Sequence, residues 1–365
     1  MATLAARAVV TPEGILSPAV VETDGELIAS VGPTTGPVPD RMIAPGYIDL
    51  QVNGHDDVDV SAAEGGDWDR LDDLLLAQGV TTWCPTLVTS PLESYRPRLE
   101  QIAAAAARGG RRPHIAGAHL EGPFLGGLPG AHDRRFLAPL DLDWIDQLPP
   151  VVRVVTVAPE LERSPAAIRA LAERGVVVSL GHSTATYEET LAAADSGARL
   201  VTHLFNAMSP VHHRQPGMVG AALTDHRLTP TLIADLVHVH PAVIAVAFRA
   251  RGGAGVALVT DAVAWRSGRV GSSGISRVDE DAPRRPDGTI AGSALTMDRA
   301  VRNVVSAAGV PFEAAVAAAS TVPARVLGDR TRGEVAPGRR ADLVVLDSEM
   351  RVGQTWVGGE PAWEG

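Results

Sequence analysis

The amino-acid sequence predicts an α/β protein: a (β/α)8 TIM-like barrel with a small β-sandwich domain formed from both termini. Three observations carry this expectation. Eight apolar, β-branched runs of strand length recur through the middle of the chain. Most are followed by a stretch of helical periodicity, the alternation typical of α/β folds. The two ends have a different texture, with short strand-like segments punctuated by Gly and Pro and no helical pattern. The implied division is 1–44 with 333–365 for the β domain and 45–332 for the barrel. Alternation alone also fits a doubly wound sheet, but eight strands at this chain length favour the barrel.

Taken in order, the N-terminal strands are expected at Ala6–Val10, Gly14–Leu16, Ala19–Thr23 and Leu27–Val31. Barrel strands follow at Ile48–Val52, Val80–Thr86, Ile115–Glu121, Val154–Glu160, Val176–His182, Leu200–His203, Thr231–Asp235 and Val256–Asp261. Helical patterns occupy Asp67–Gln78, Leu92–Arg108, Pro165–Arg174, Thr186–Ser196 and Pro241–Arg251. The third of these is well punctuated. Ser164 can cap it, Pro165 suits its first turn, and Gly175 ends it. At the C-terminus, Arg340–Asp347, Met350–Val352 and Gln354–Val357 repeat the strand-rich texture of the start.

Composition narrows the chemistry. A formal net charge of −11 over 365 residues argues against a nucleic-acid partner, while leaving room for a local cationic pocket. No apolar run is long enough to span a bilayer, and Met1-Ala-Thr-Leu-Ala-Ala-Arg7 lacks the pattern of a leader. A cytoplasmic protein without a membrane partner is therefore expected. Cys84 is the single cysteine, which excludes an intramolecular disulfide and a multi-cysteine zinc site. All 32 basic residues are Arg and none is Lys. That removes Schiff-base chemistry, the Walker phosphate-binding lysine and any pair of metal ions bridged by a modified lysine. A metal site has to be built from the 11 His and the carboxylates.

The most informative stretch is Gly117-Ala-His-Leu-Glu-Gly-Pro-Phe124, where an apolar run leads into His119 and Glu121 before Gly122-Pro123 ends it. A carboxylate at the end of a buried strand is costly unless a cation offsets it. Active sites of such barrels lie at the C-terminal ends of the strands. The runs there end in Gln51-Val-Asn53, Glu121, His182, His203, Asp235 with His238, and Asp261. Glu121, His182 and His203 make a His2Glu set with one position left open, the arrangement of a catalytic zinc site. A divalent ion brings the pKa of bound water to about 7, and Asp261 can accept the water proton and return it to a leaving amine. Such a site hydrolyses amides or related bonds.

A set of motifs then points to a family. In order they are Ala-Pro-Gly-Tyr-Ile-Asp (44–49), His-Leu-Glu-Gly-Pro-Phe (119–124), Gly-Ala-His (130–132), Gly-His-Ser (181–183) and Thr-His-Leu-Phe-Asn-Ala-Met (202–208). Arg-Gln-Pro-Gly (214–217), Val-Thr-Asp-Ala (259–262) and Ala-Gly-Ser-Ala-Leu-Thr-Met (291–297) complete it. From about residue 44 to residue 345 the chain resembles the N-acetylglucosamine-6-phosphate deacetylases of the amidohydrolase superfamily. The resemblance implies that Glu121, His182 and His203 are metal ligands and Asp261 the acid/base. It implies substrate contacts from Ala131 and His132, with His132 on the acetamide or its oxyanion, and from Asn206 and the Ala207 backbone on the sugar phosphate. Arg214 matches a phosphate-binding Arg, and His238 a phosphate-contacting His that in the family reaches across a dimer interface. Ile290, Ala291 and Gly292 match a loop over the sugar, where Gly allows close backbone approach. Many amidohydrolases carry His-x-His on strand one, and Gln51 and Asn53 stand there instead. This implies one divalent ion per subunit, Zn2+ foremost, with Fe2+, Mn2+ or Co2+ as alternatives.

The implied reaction is hydrolysis of N-acetyl-D-glucosamine 6-phosphate to D-glucosamine 6-phosphate and acetate by a homodimer. The alternatives are the same chemistry on N-acetylgalactosamine 6-phosphate, an N-acyl amino acid or a cyclic amide. A metal-free phosphosugar isomerase or aldolase, and a binding module without catalysis, are the rivals from other classes. Two departures bear on the substrate. The family's Asp-Gly-x-His is Asp235-Leu236-Val237-His238 here, so the local path or the sugar contact is expected to differ, and the loop from Glu121 to His132 lacks the basic residues common in relatives. His55, His114, His212, His213, His226 and His240 read as surface or packing residues, and Cys84 as a small buried one. Residues 266–287 read as a Gly-rich insertion, either a hairpin over the site or a mobile loop.

Overall fold

Eight parallel strands, Tyr47–Val52, Val80–Val88, Ala118–Glu121, Val152–Val157, Val177–Leu180, Leu200–Val201, Thr229–Ile233 and Ala257–Val259, follow one another in sequence and in space. The first and eighth meet through the Asp261 N–H to Gln51 carbonyl bond (2.9 Å) and the Asn53 N–H to Ala262 carbonyl bond (2.8 Å), closing a barrel. Asp49 reinforces that seam by accepting the Thr260 hydroxyl at 2.6 Å. The computed structural model describes residues 1–252, 255–270, 273–274, 277–279 and 282–365. Every residue of the first strand is buried, as expected of parallel strands covered on both faces. Such strands read as near-continuous apolar runs, and the barrel was legible for that reason. Cys84 is fully buried, as its mid-strand position implied.

Several boundaries differ from the sequence expectation. The third strand is broken: His114–Ile115 and Ala118–Glu121 are separate, with Gly117 between them at φ 135°. A Cβ at 117 would lie 2.6 Å from Arg153 Cβ, so only glycine fits. The fifth, sixth and eighth strands stop short of His182, His203 and Asp261, each of which lies two residues beyond. Their φ values of 52°, 32° and 50° are left-handed and cannot continue an extended chain.

The helix Ser164–Glu173 begins one residue earlier than expected. Arg163 turns the chain at φ 70°, and the Ser164 hydroxyl donates to the Pro159 carbonyl instead of capping the helix. Thr186 does cap Tyr187–Ser196, in a reciprocal pair with Glu189. Leu142–Asp146 and Gly217–Thr224 escaped the sequence reading because one is a single turn and the other is apolar almost throughout, with no stripe.

The termini form two sheets. Ala2–Ala6, Ala19–Asp24 and Leu27–Pro33 make a three-stranded antiparallel sheet. Glu360–Glu364, Val352–Val357, Leu343–Leu346, Met42–Pro45, Ala8–Thr11 and Gly14–Leu16 make a six-stranded one, in that order. The expected strand at Ala6–Val10 is thus two strands, because the chain changes sheets at Arg7. Leu4, Val21 and Ile28 of the small sheet pack with Val9, Ile43 and Leu343 of the large one as a core of their own, a sandwich.

The 266–287 insertion falls partly outside the described residues. Its described parts pair as two short hairpins, Arg269–Val270 with Ser273–Gly274 and Arg277–Asp279 with Ala282–Arg284. The second leads into Thr289–Gly292, which lies on the cavity described next.

Candidate metal centre and active site

Three side chains converge at the C-terminal mouth of the barrel. Glu121 Oε1 lies 3.1 Å from His182 Nε2 and 3.0 Å from His203 Nε2, and the two nitrogens are 3.0 Å apart. All three residues are buried. At most one of two facing imidazole nitrogens can carry a proton without opposing the other, so the cluster is poorly satisfied by protons alone. It suits a divalent ion: tetrahedral ligands at about 2.0–2.1 Å from zinc lie about 3.3 Å from one another, and the donor set is N, N and O. Burial would raise the Glu121 carboxyl, but the hydrogen bonds of His182 and His203 and the charges of His132 and His182 together outweigh it and hold the group well below the usual carboxylate range. Burial pulls His182 down, whereas at His203 the Glu121 carboxylate outweighs burial and holds the ring up.

Asp261 sits beside this cluster. Gln51 Nε2 donates both to Glu121 Oε1 (2.9 Å) and to Asp261 Oδ1 (3.0 Å), and Asn53 Nδ2 donates to the same Oδ1 at 2.6 Å. Burial, helped by the Glu121 charge, pushes the Asp261 carboxyl up to about 8. The residues at the end of the first strand thus hold Asp261 in place. Sequence reasoning had noted only what Gln51 and Asn53 are not, since their partners lie 70 to 210 residues away.

These groups form the floor of a cavity of about 300 Å3. Its walls include Ala131, His132, Asn206, Ala207, His238, Ile290, Ala291 and Gly292, all expected from the sequence. Thr89, Asp133 and Thr289 also line it and were not foreseen. His132 stacks edge-on against His182 at 4.4 Å, with Nε2 3.7 Å from Glu121 Oε2. Burial and the neighbouring His182 pull its ring down to about 3. Glu121, His132 and His182 could also be grouped as ligands, since their donor atoms lie within 4.8 Å of one another. The shorter distances favour His203 over His132 as the third ligand.

Arg214 is not part of this wall. Its side chain is on an exposed loop, with Nη1 2.8 Å from His213 Nε2. His238, in contrast, lines the cavity of its own chain, and its Nδ1 is 2.6 Å from Asp235 Oδ2. Leu236 stands where the family motif carries Gly. Leu236 takes the left-handed conformation itself, at φ 71°, while Asp235 Oδ1 accepts the N–H groups of Val237 (2.9 Å) and His238 (2.8 Å) and pins the turn. Gly292 lines the cavity and is also constrained from below. A Cβ there would lie 2.3 Å from Val263 Cγ1, so its close approach is to the barrel beneath it.

A barrel whose strand ends gather two imidazoles and a carboxylate beside a buried acid is the architecture of metal-dependent hydrolases. The chain belongs to the amidohydrolase family, which matches residues 42–362. It is 39% identical over 372 residues to the N-acetylgalactosamine-6-phosphate deacetylase of Escherichia coli O157:H7, covering 98% of each chain. It is 42% identical over 349 residues to the N-acetylglucosamine-6-phosphate deacetylase of Rattus norvegicus, covering 89% of this chain and 84% of the relative. Among solved structures, a Mycobacterium smegmatis N-acetyl-D-glucosamine-6-phosphate deacetylase variant in complex with N-acetyl-D-glucosamine-6-phosphate superposes with a TM-score of 0.92. That pair shares 34% identity over 98% of both chains.

Proposed function

We propose that this chain hydrolyses the acetamide of N-acetyl-D-glucosamine 6-phosphate, giving D-glucosamine 6-phosphate and acetate. The observation that carries this reading is the convergence of Glu121, His182, His203 and Asp261 on one cavity, in a family whose relatives deacetylate amino-sugar phosphates. Glu121, His182 and His203 would hold one divalent ion, which supplies Lewis-acid polarisation and eases deprotonation of water. Zn2+ suits two imidazoles and a carboxylate best. Asp261, oriented by Gln51 and Asn53, takes the proton of the attacking water and delivers it to the amine nitrogen as the C–N bond breaks. His132 faces the floor from the wall and donates to the acetamide oxygen as negative charge builds there.

Asn206, Ala207 and His238 are assigned to the sugar phosphate, with Ile290–Gly292 over the ring. Arg214 lies off the cavity of its own chain, and we assign its phosphate contact to a second subunit. We accordingly propose a homodimer that uses the exposed loop carrying Arg214. Among the described residues no helix is long and apolar enough to cross a membrane, and a sugar-phosphate substrate favours the cytoplasm. The segments 1–44 and 333–365 are proposed as one β domain beside a barrel domain of 45–332.

The test is acetate release from N-acetylglucosamine and N-acetylgalactosamine, each with and without 6-phosphate, before and after chelation. Activity confined to the phosphorylated sugars and abolished by chelation supports the reading. Preference for the galacto epimer would move the assignment toward the Escherichia coli relative, and full activity after chelation would end it.

A further inference from the structure

Thr89, the residue after the second barrel strand, aims two groups at one nitrogen of His132. Its backbone N–H points at Nδ1 from 3.3 Å, and its hydroxyl oxygen lies 2.8 Å from the same atom. The hydroxyl can rotate, and it is also 3.5 Å from the Glu121 carbonyl oxygen. The N–H cannot, and a backbone N–H only donates. His132 Nδ1 must therefore present a lone pair, and the ring proton of the neutral imidazole sits on Nε2. Nε2 is the nitrogen turned toward Glu121. A nitrogen that carries a proton offers no lone pair to a metal.

We propose that Thr89 is a positioning residue that fixes His132 as the Nε2–H tautomer, which makes His132 a neutral donor toward the acetamide oxygen and bars it from the metal. The clause about the acetamide rests on the deacetylase reading, whereas the tautomer stands on geometry alone. The proposal separates His132 from His182 and His203, although all three rings crowd the same carboxylate. It also explains the glycine of Glu121-Gly122-Pro123. Gly122 has φ 95°, and a Cβ there would lie 2.2 Å from Thr89 Oγ1, so any side chain would push Thr89 away from His132. Thr89 is itself only 1% exposed, which leaves it nowhere to retreat.

The deciding measurement is nitrogen NMR of the zinc-loaded full chain labelled at histidine, with His132→Asn used to identify the signal. The expected result is a proton on Nε2 and none on Nδ1 throughout the neutral range; protonation at Nδ1 would overturn the proposal. In kinetics, Thr89→Val keeps the backbone N–H but loses the hydroxyl. It should lower kcat about threefold to tenfold with KM and bound metal unchanged, and Thr89→Ser should restore it. An unchanged kcat in Thr89→Val, or a loss that Thr89→Ser does not restore, would count equally against the proposal. If Thr89→Val fails to fold, the NMR result on the unaltered protein still decides. A protein inactive on every hexosamine phosphate but protonated on Nε2 would refute the substrate and keep the tautomer.

Discussion

Glu121, His182, His203 and Asp261 come from strand ends and are each 7% exposed or less, whereas Arg214, His238 and Ile290–Gly292 come from loops and range from buried to exposed. The floor is held by bonds that cross the barrel, such as Gln51 to Glu121 and Asp261. The rim is held mostly by its own turns, as at Asp235–His238. On the proposed roles, chemistry is fixed by long-range closure, and phosphate recognition at Asp235–His238 by a local turn. The two should fail in different ways when perturbed.

The largest effect is expected at the floor. Glu121→Gln should lose bound metal together with at least about a thousandfold in kcat/KM, measured by metal content and acetate release; retention of both would remove Glu121 from the centre. Asp261→Asn should keep its metal and lose about a hundredfold to ten-thousandfold in kcat. A fall in metal content instead would make Asp261 a ligand.

At the rim the expected signature is KM. Arg214→Ala should raise KM about tenfold for phosphorylated substrates and leave unphosphorylated ones alone. An equal loss on both would dissolve the distinction between floor and rim.

The last effect falls on stability and leaves the active centre aside. Burial pushes Asp49, at the barrel seam, up to about 7. The folded state then binds more protons than the unfolded one between about pH 4 and about pH 7. Stability should fall as pH rises through that window, by on the order of a few kcal/mol, and level off above it. Asp49→Asn should flatten the dependence, as followed by urea midpoints against pH; an unaltered slope would assign it to other groups.

How much of this was legible in the sequence follows the same division. Glu121, His182, His203 and Asp261 announced themselves as polar residues closing apolar runs, because buried parallel strands write their length directly into composition. Their left-handed backbone did not, since the enrichment of His and Asp at positive φ is too weak to mark any one residue. Thr89 was invisible for another reason. A Thr after a strand is unremarked until the chain 43 residues on brings His132 to it. Arg214 was read through resemblance, which transfers identity but not where a loop places the side chain. Leu236 was judged by its steric preference, and the Asp235 side chain overrode that preference.

The three left-handed residues His182, His203 and Asp261 have a consequence for descent. Each non-glycine residue held there costs on the order of 1 kcal/mol or more that a glycine would not. On the roles proposed above, replacing any of them by Gly would remove function and relieve that local strain at once. A lineage released from the need for catalysis, or a laboratory selection for heat resistance alone, would find the centre among its cheapest sources of improvement.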